Sequence, residues 1–358
     1  MRAAVAFPGR GSYGPPSLGS LPPGHPWVRR ADELRAAAGL QPLVEIDRAE
    51  RFDPAVHMRP TNAWPLVFLC SLLDAERIAD DHEVVVVVAN STGWYTALAA
   101  SGALGFDDAF RLVQEMAAAA EVPLQGDSAP AELIYPLTDD AWQPAEARIE
   151  GLSIALGEAN GGTAVAIDLG PFAVIAGTSD GIDSLAGRLP PVQVADRDYP
   201  LRLASADAWH TPLRAAAAEE AANRLDDLRW DRPNVTLIDG RGVRFTPWST
   251  DPNELAEQSL RGQGAETYDF ATSLRLALRE YAPDVVLLPG PGGSLGRHAP
   301  RLPWPRGIGA CAAGPSSRPP RQARPRSSSR CAGDRARARP ARPARPAGDA
   351  GAIGPRSR

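Results

Sequence analysis

Lysine is absent from this 358-residue chain, so all 38 basic groups are arginine, a bias that reflects the base composition of a gene more than a mechanism. Histidine and cysteine are scarce, at five and three residues. Cys70, Cys311 and Cys331 have no metal-ligand spacing, and Cys70 sits inside the apolar run 66–70, so a buried structural thiol and no metal are expected. No run reaches the roughly 18 apolar residues of a membrane-spanning helix. The first seven residues are too short an apolar stretch for a secretory signal and meet Pro8-Gly9 at once. These absences predict a cytoplasmic protein with no membrane partner. Positive charge is also thin over most of the chain: residues 1–300 hold 24 arginines against 41 acidic residues. An acidic body lacks the clustered cations that a phosphate backbone requires, which argues against nucleic acid as a partner.

Against that background, residues 84–104 stand out: five valines and Ala89 lead into Asn90-Ser91-Thr92-Gly93 and out along a run of small residues. A serine at a sharp strand-to-helix turn adopts a strained backbone and needs small residues two positions before and after it, here Ala89 and Gly93. The turn exposes the Ser91 hydroxyl. Because a helix starts next, the Thr92 N–H points to the space above the serine, where a carbonyl oxygen would gain charge during acyl transfer. The same pattern also fits an ordinary strand-turn-helix joint carrying a surface serine.

Periodicity places a strand at 3–7, helices at 63–79 and 92–101, a strand at 84–88, and a helix over 107–121 capped by Asp107. This alternation predicts an α/β fold around a parallel sheet. It breaks near 125–130. Strands at 132–137, 164–169 and 172–176 with helices at 144–158 and 179–189 then suggest an inserted α+β module, and the main pattern resumes around Tyr199–Leu203. A helix at 212–229, a strand at 235–238, helices at 252–262 and 269–282 and a strand at 284–288 follow, ending in Pro289-Gly290-Pro291-Gly292. That loop lacks the dinucleotide fingerprint, and its prolines remove backbone donors. The expected organisation is a large α/β subdomain at 1–127 and 199–296, a small α+β subdomain at 128–198, and a disordered tail at 297–358. The tail is rich in Arg, Pro and Ala, with 14 arginines against Asp334 and Asp349 in residues 301–358. Its abrupt onset suggests a shifted reading frame, which translation of the neighbouring frame would test.

Four segments in order resemble malonyl-CoA:acyl carrier protein transacylases and the related acyltransferase domains of fatty-acid and polyketide synthases. Residues 7–12, Phe-Pro-Gly-Arg-Gly-Ser, look like the family's Phe-Pro-Gly-Gln-Gly-Ser loop, and residues 90–98 with Ala99–Leu104 look like its serine elbow. Trp209-His210-Thr211-Pro212-Leu213 is similar to its histidine motif, and 289–292 to its closing glycine-proline turn. The resemblance implies a hydrolase-like large subdomain with a ferredoxin-like insertion, and an acyl group passed from acyl-CoA through Ser91 to the phosphopantetheine thiol of an acyl carrier protein, by a monomer without a cofactor. It also implies His210 as the base, the backbone amides of Arg10 and Thr92 as the oxyanion hole, and a backbone carbonyl at Asp239 or Gly240 to orient His210, with the Asp239 carboxylate as the lesser alternative.

Departures from the family pattern fall around the acyl group. Met116, 25 residues beyond the serine, stands where the family has the arginine that binds the malonyl carboxylate. A thioether cannot form that bidentate ion pair. Asn90, Trp94 and Trp64 also replace more polar family residues, so these four are candidates for a rebuilt acyl pocket. A malonyltransferase-like activity is the leading expectation, with Arg10 or Arg111 as substitute cations. A transferase of uncharged acyl groups, a serine thioesterase or esterase, and an inactive relative that binds carrier proteins remain as alternatives.

Overall fold

The unbroken apolar run 84–89 has no polar face to turn to water, so it suits only a strand covered on both sides. The computed structural model describes residues 1–292, except 125, 127, 160, 161, 195 and 205, together with the pair 312–313. In chain order the strands are Arg2–Phe7 (β1), Glu83–Ala89 (β2), Pro130–Pro136 (β3), Thr163–Asp168 (β4), Phe172–Thr178 (β5), Val192–Val194 (β6) and Arg197–Tyr199 (β7). They continue with Leu201–Arg202 (β8), Thr236–Ile238 (β9), Arg244–Phe245 (β10), Tyr268–Asp269 (β11), Val285–Leu288 (β12) and Ala312–Ala313 (β13).

The first sheet has the order β10-β9-β2-β1-β12-β13, parallel throughout except for β10. The two-residue period of a strand sorts its side chains onto opposite faces. Val84, Val87, Ala3, Val5 and Phe7 join a core of helices, while Val86, Val88, Ala4 and Ala6 join the core beneath the second sheet. The mixed α/β class expected from the alternation is what the chain adopts.

The second sheet runs β11-β4-β5-β3-β8 and is antiparallel apart from β11 beside β4. Two details differ from the expectation. Residues 201–202 pair with β3, so the stretch 199–203 does not return to the first sheet. In turn, Tyr268–Asp269 reaches back from the later chain to extend the second sheet. β6 and β7 form a separate hairpin ladder. The tail expected to be disordered at 297–358, with Cys311 and Cys331, lies outside the described residues except for β13.

Helix Pro60–Asp81 carries Pro65 in its interior, where a missing N–H leaves a carbonyl one turn back without its helical partner. That carbonyl belongs to Thr61, and it accepts instead from Arg35 Nη1 at 2.7 Å and Gln114 Nε2 at 3.2 Å. Further along the same helix, Cys70 is buried with Sγ 3.2 Å from Ser20 Oγ, and burial pushes its thiol up to about 12. It is an inert packing residue, as expected.

Several helix limits also moved. The helix at Phe106–Glu121 is capped by Gly105 with no side-chain bond, because the Asp107 carboxylate instead binds Arg30. The alanine-rich helix is Ala215–Asn223 after a tight turn at Pro212–Arg214, and stops short of 229. The stretch predicted as one helix over 252–262 is α-helical only at Pro252–Glu257 and then widens into a π-helical turn, Gln258–Gly262. Such wide turns concentrate at functional sites.

Candidate active site

Ser91 lies in the turn between Asn90, which follows β2, and Thr92, the N-cap residue of helix Gly93–Ala100. Its backbone sits at φ 54°, a left-handed conformation that an L-residue adopts only when its surroundings enforce it. The enforcing contact is at Gly93, where a Cβ would lie 2.6 Å from the Pro8 carbonyl oxygen and 2.7 Å from that of Phe7. Thus the loop leaving β1 and the elbow leaving β2 press together, which places Gly9 and Arg10 beside the serine. The first helical turn uses the N–H groups of Gly93, Trp94 and Tyr95 on the carbonyls of Asn90, Ser91 and Thr92. The Thr92 N–H precedes that set and opens the helix on the serine side.

His210 comes from a different part of the chain and reaches the same point. Its Nε2 lies 2.7 Å from Ser91 Oγ, and both side chains are buried. His210 is itself at φ 64°, with Ala208 at φ 55°, so both ends of the pair rest on strained backbone. The His210 N–H donates to the Gly264 carbonyl at 2.8 Å, and the Tyr268 ring packs against the imidazole with centroids 5.4 Å apart. Desolvation by burial lowers the imidazole pKa to about 4, against the opposing pull of Asp207 and of the Gln263 backbone. The ring is therefore neutral near pH 7 and has a lone pair available for the serine proton. For an activity that needs neutral His210, kcat/KM should hold as pH falls below 6.5, the ordinary imidazole value, and drop only as pH approaches about 4. A pH–rate profile of the acylation step checks this, and an acid limb at 6.5 would contradict it.

The groups expected to orient His210 do other work. Asp239 Oδ1 accepts the N–H groups of Arg241 and Val243, each at 2.9 Å, and Oδ2 pairs with Arg241 at 2.8 Å. Its carboxylate is consumed by its own turn, and its carbonyl accepts from Ser273 Oγ. The Gly240 carbonyl accepts from the Asp269 N–H, and a Cβ there would strike the Tyr268 ring. Gly240 thus acts by letting Tyr268 reach His210. The backbone group that raises the imidazole pKa is at Gln263, although Nδ1 has no partner at full hydrogen-bond geometry among the described residues.

Gln263 acts on the serine as well. Its Nε2 donates to the Ser91 carbonyl at 2.8 Å, so one buried residue touches both halves of the pair. The π-helical turn just before it sets this position, and also aims Ser259 Oγ at Trp94 Nε1 at 2.8 Å. Replacing Gln263 by Leu removes the donor that holds the strained elbow, and should destabilise the fold by about 1–3 kcal/mol. It should also lower kcat about tenfold or more through misplacement of Ser91, with a smaller change in KM. Denaturant melts and steady-state kinetics read the two effects separately.

A cavity of about 320 Å³ opens on Ser91, lined by Gly9, Arg10, Asn90 and Glu132 and by aliphatic residues of the second sheet. Of the four acyl-pocket candidates, Asn90 lines it. Met116 is buried among the helices, Trp94 packs on Phe245, and Trp64 packs on Tyr95 and Trp209, so these three shape the core behind the site. Arg111 lies at the surface, bonded to Asp227. The Arg10 guanidinium is in the site but is held by Glu132 at 2.5 Å and by Asp207 at 3.1 Å. Burial raises the Glu132 carboxyl against the opposing field of Arg10.

Solved structures with this arrangement of sheets are similar over nearly their whole length. The acyl carrier protein S-malonyltransferase of Vibrio cholerae matches with a TM-score of 0.69 at 19% identity, covering 87% of this chain and 96% of that one. The malonyl CoA-acyl carrier protein transacylase of Coxiella burnetii matches with a TM-score of 0.70 at 20% identity, covering 87% and 93%. A type II polyketide-synthase malonyl-transacylase in complex with its acyl carrier protein matches with a TM-score of 0.71 at 18% identity, covering 87% and 96%. The chain has the fold of the acyl carrier protein S-malonyltransferases. No family model and no curated protein matches it in sequence.

Three residues of this site escaped the sequence: Gln263, Glu132 and Asp207. Glu132 was visible only as one position of a predicted strand. Asp207 lies three residues before His210 but carries no motif of its own. Among the described residues no cluster of three His, Cys, Asp or Glu could hold a metal, and no helix is long and apolar enough to cross a membrane.

Proposed function

We propose that this protein is an acyl-CoA:acyl carrier protein S-acyltransferase that works through an acyl-Ser91 intermediate. The observation that carries this reading is the 2.7 Å contact between His210 Nε2 and the Oγ of Ser91, a residue that lines a cavity, on strained backbone at both residues. Ser91 Oγ attacks the thioester carbonyl while its proton passes to Nε2. The carbonyl π bond opens to an oxyanion, for which the Thr92 and Arg10 backbone amides serve as donors in this reading. The oxyanion collapses, the C–S bond breaks, and the departing CoA sulfur takes the proton from His210. In the second half the carrier's phosphopantetheine thiol gives its proton to His210 and attacks the acyl-serine. Its C–O bond breaks and Ser91 recovers the proton.

Two features support transfer over hydrolysis. No carboxylate bonds Nδ1 of His210 among the described residues, and the cavity walls beyond the serine are largely aliphatic, which disfavours an activated water. One similar structure, besides, is of a transacylase together with its acyl carrier protein. Incubation with an acyl-CoA, with and without a phosphopantetheinylated carrier protein, tests the proposal by intact mass. An acyl mass that appears on the protein and moves to the carrier supports transfer. Rapid release of free acid, with or without carrier, would make the protein a hydrolase.

A further inference from the structure

Arg10 is the one guanidinium lining the cavity among the described residues, and its charge is already shared by two carboxylates. Glu132 takes Nη2 at 2.5 Å, and Asp207 takes Nη1 at 3.1 Å. The neighbouring Arg214 points its Nε, Nη1 and Nη2 at the carbonyls of Asp207, Val122 and Ala120. An acyl group ending in a carboxylate would therefore enter beside Glu132 and have to displace it from Arg10. Clamping a carboxylate in a buried site takes an arginine whose fork is open to it, and a like charge at close range opposes entry. The rest of the wall offers the opposite environment. Ile134, Ile167 and Val174 from the second sheet, with Leu169 and Leu203 just beyond its strands, line the cavity. At about 30 Å³ for each water-sized group, the cavity of about 320 Å³ exceeds the needs of a two-carbon acyl group.

We propose that Glu132 sets the acyl specificity of this site: by occupying Arg10 it bars dicarboxylic acyl groups, and the aliphatic wall receives an uncharged acyl chain of several carbons. The inference rests on the acyl-serine reading above. It has its own observation, the placement of Glu132 on the cavity wall with its carboxylate on Arg10.

The test is acylation of the full chain by hexanoyl-CoA, acetyl-CoA and malonyl-CoA, with kcat/KM taken from the intact-mass increase. The wild type should favour hexanoyl over malonyl at least tenfold. Glu132→Gln keeps the shape but frees Arg10 of one carboxylate, so the hexanoyl-to-malonyl ratio should fall at least tenfold. Val174→Trp fills the aliphatic wall, and should lower hexanoyl loading at least tenfold more than acetyl loading. This second variant keeps the question open to disproof where Glu132→Gln fails to fold. A wild type that prefers malonyl-CoA, or a Glu132→Gln variant that leaves the ratio unchanged, overturns the inference while leaving the acyl-serine mechanism in place. Absence of any acyl mass from all three thioesters removes both.

Discussion

Ser91→Ala should abolish the acyl-enzyme and lower the transfer rate by on the order of 10⁴-fold or more, since among the described residues no other nucleophile lies on His210 Nε2. The same change should barely alter stability. It removes a single neutral hydrogen bond, worth about 0.5–1.5 kcal/mol net, and leaves a small residue in the same strained position. The pairing of a large kinetic effect with a small thermal one is what separates a nucleophile from a structural serine. Intact mass after exposure to acyl-CoA and a thermal melt on the same sample read both. An acyl mass on the alanine variant, or wild-type transfer, would assign the chemistry elsewhere.

Gly93→Ala should do the reverse and damage the fold first. The added methyl would lie 2.6 and 2.7 Å from two backbone oxygens, Pro8 and Phe7, and neither can swing away as a side-chain tip would. Either the end of β1 or the start of the elbow helix must shift. Overpacking against fixed backbone should cost about 3 kcal/mol or more. Transfer should fall with it, because the displaced loop carries the Arg10 amide. Gly105→Ala is the control, since its Cβ would meet nothing within 4 Å. Melting temperatures of the two variants against the parent decide the matter, and equal shifts would show that the close approach is not enforced.

What could be read from the sequence was whatever is written locally. The valine run, the small residues around Ser91 and the helix that follows are all neighbours in the chain, so strand, turn and the serine at its strained position were visible together. The histidine motif was visible for the same reason. The contacts between distant segments were not. Gln263 lies 172 positions from Ser91 and looks like an ordinary polar residue at a helix end until the π-helical turn rotates it onto the elbow. The carbonyls of Asp239 and Gly240, expected near His210, accept instead from Ser273 and Asp269, 34 and 29 positions later, and nothing in the local sequence announces those donors. Met116 and the two tryptophans mark substitutions, but their positions alone could not distinguish a pocket wall from the core behind it. Glu132 shows the limit most clearly. Its contact with Arg10, 122 positions away, comes from strand β3 passing beside the loop that carries that arginine, and nothing in the local sequence announces that neighbour.

The central claim is that an acyl group rests on one hydroxyl during turnover. Acid-quenching the protein within a turnover of mixing with an acyl-CoA, then mapping the modified peptide, tests this most directly. The acyl mass should lie on Ser91, appear before any product, and vanish when a carrier protein is added. Transfer that proceeds while the peptide containing residue 91 stays unmodified at every quench time would contradict it.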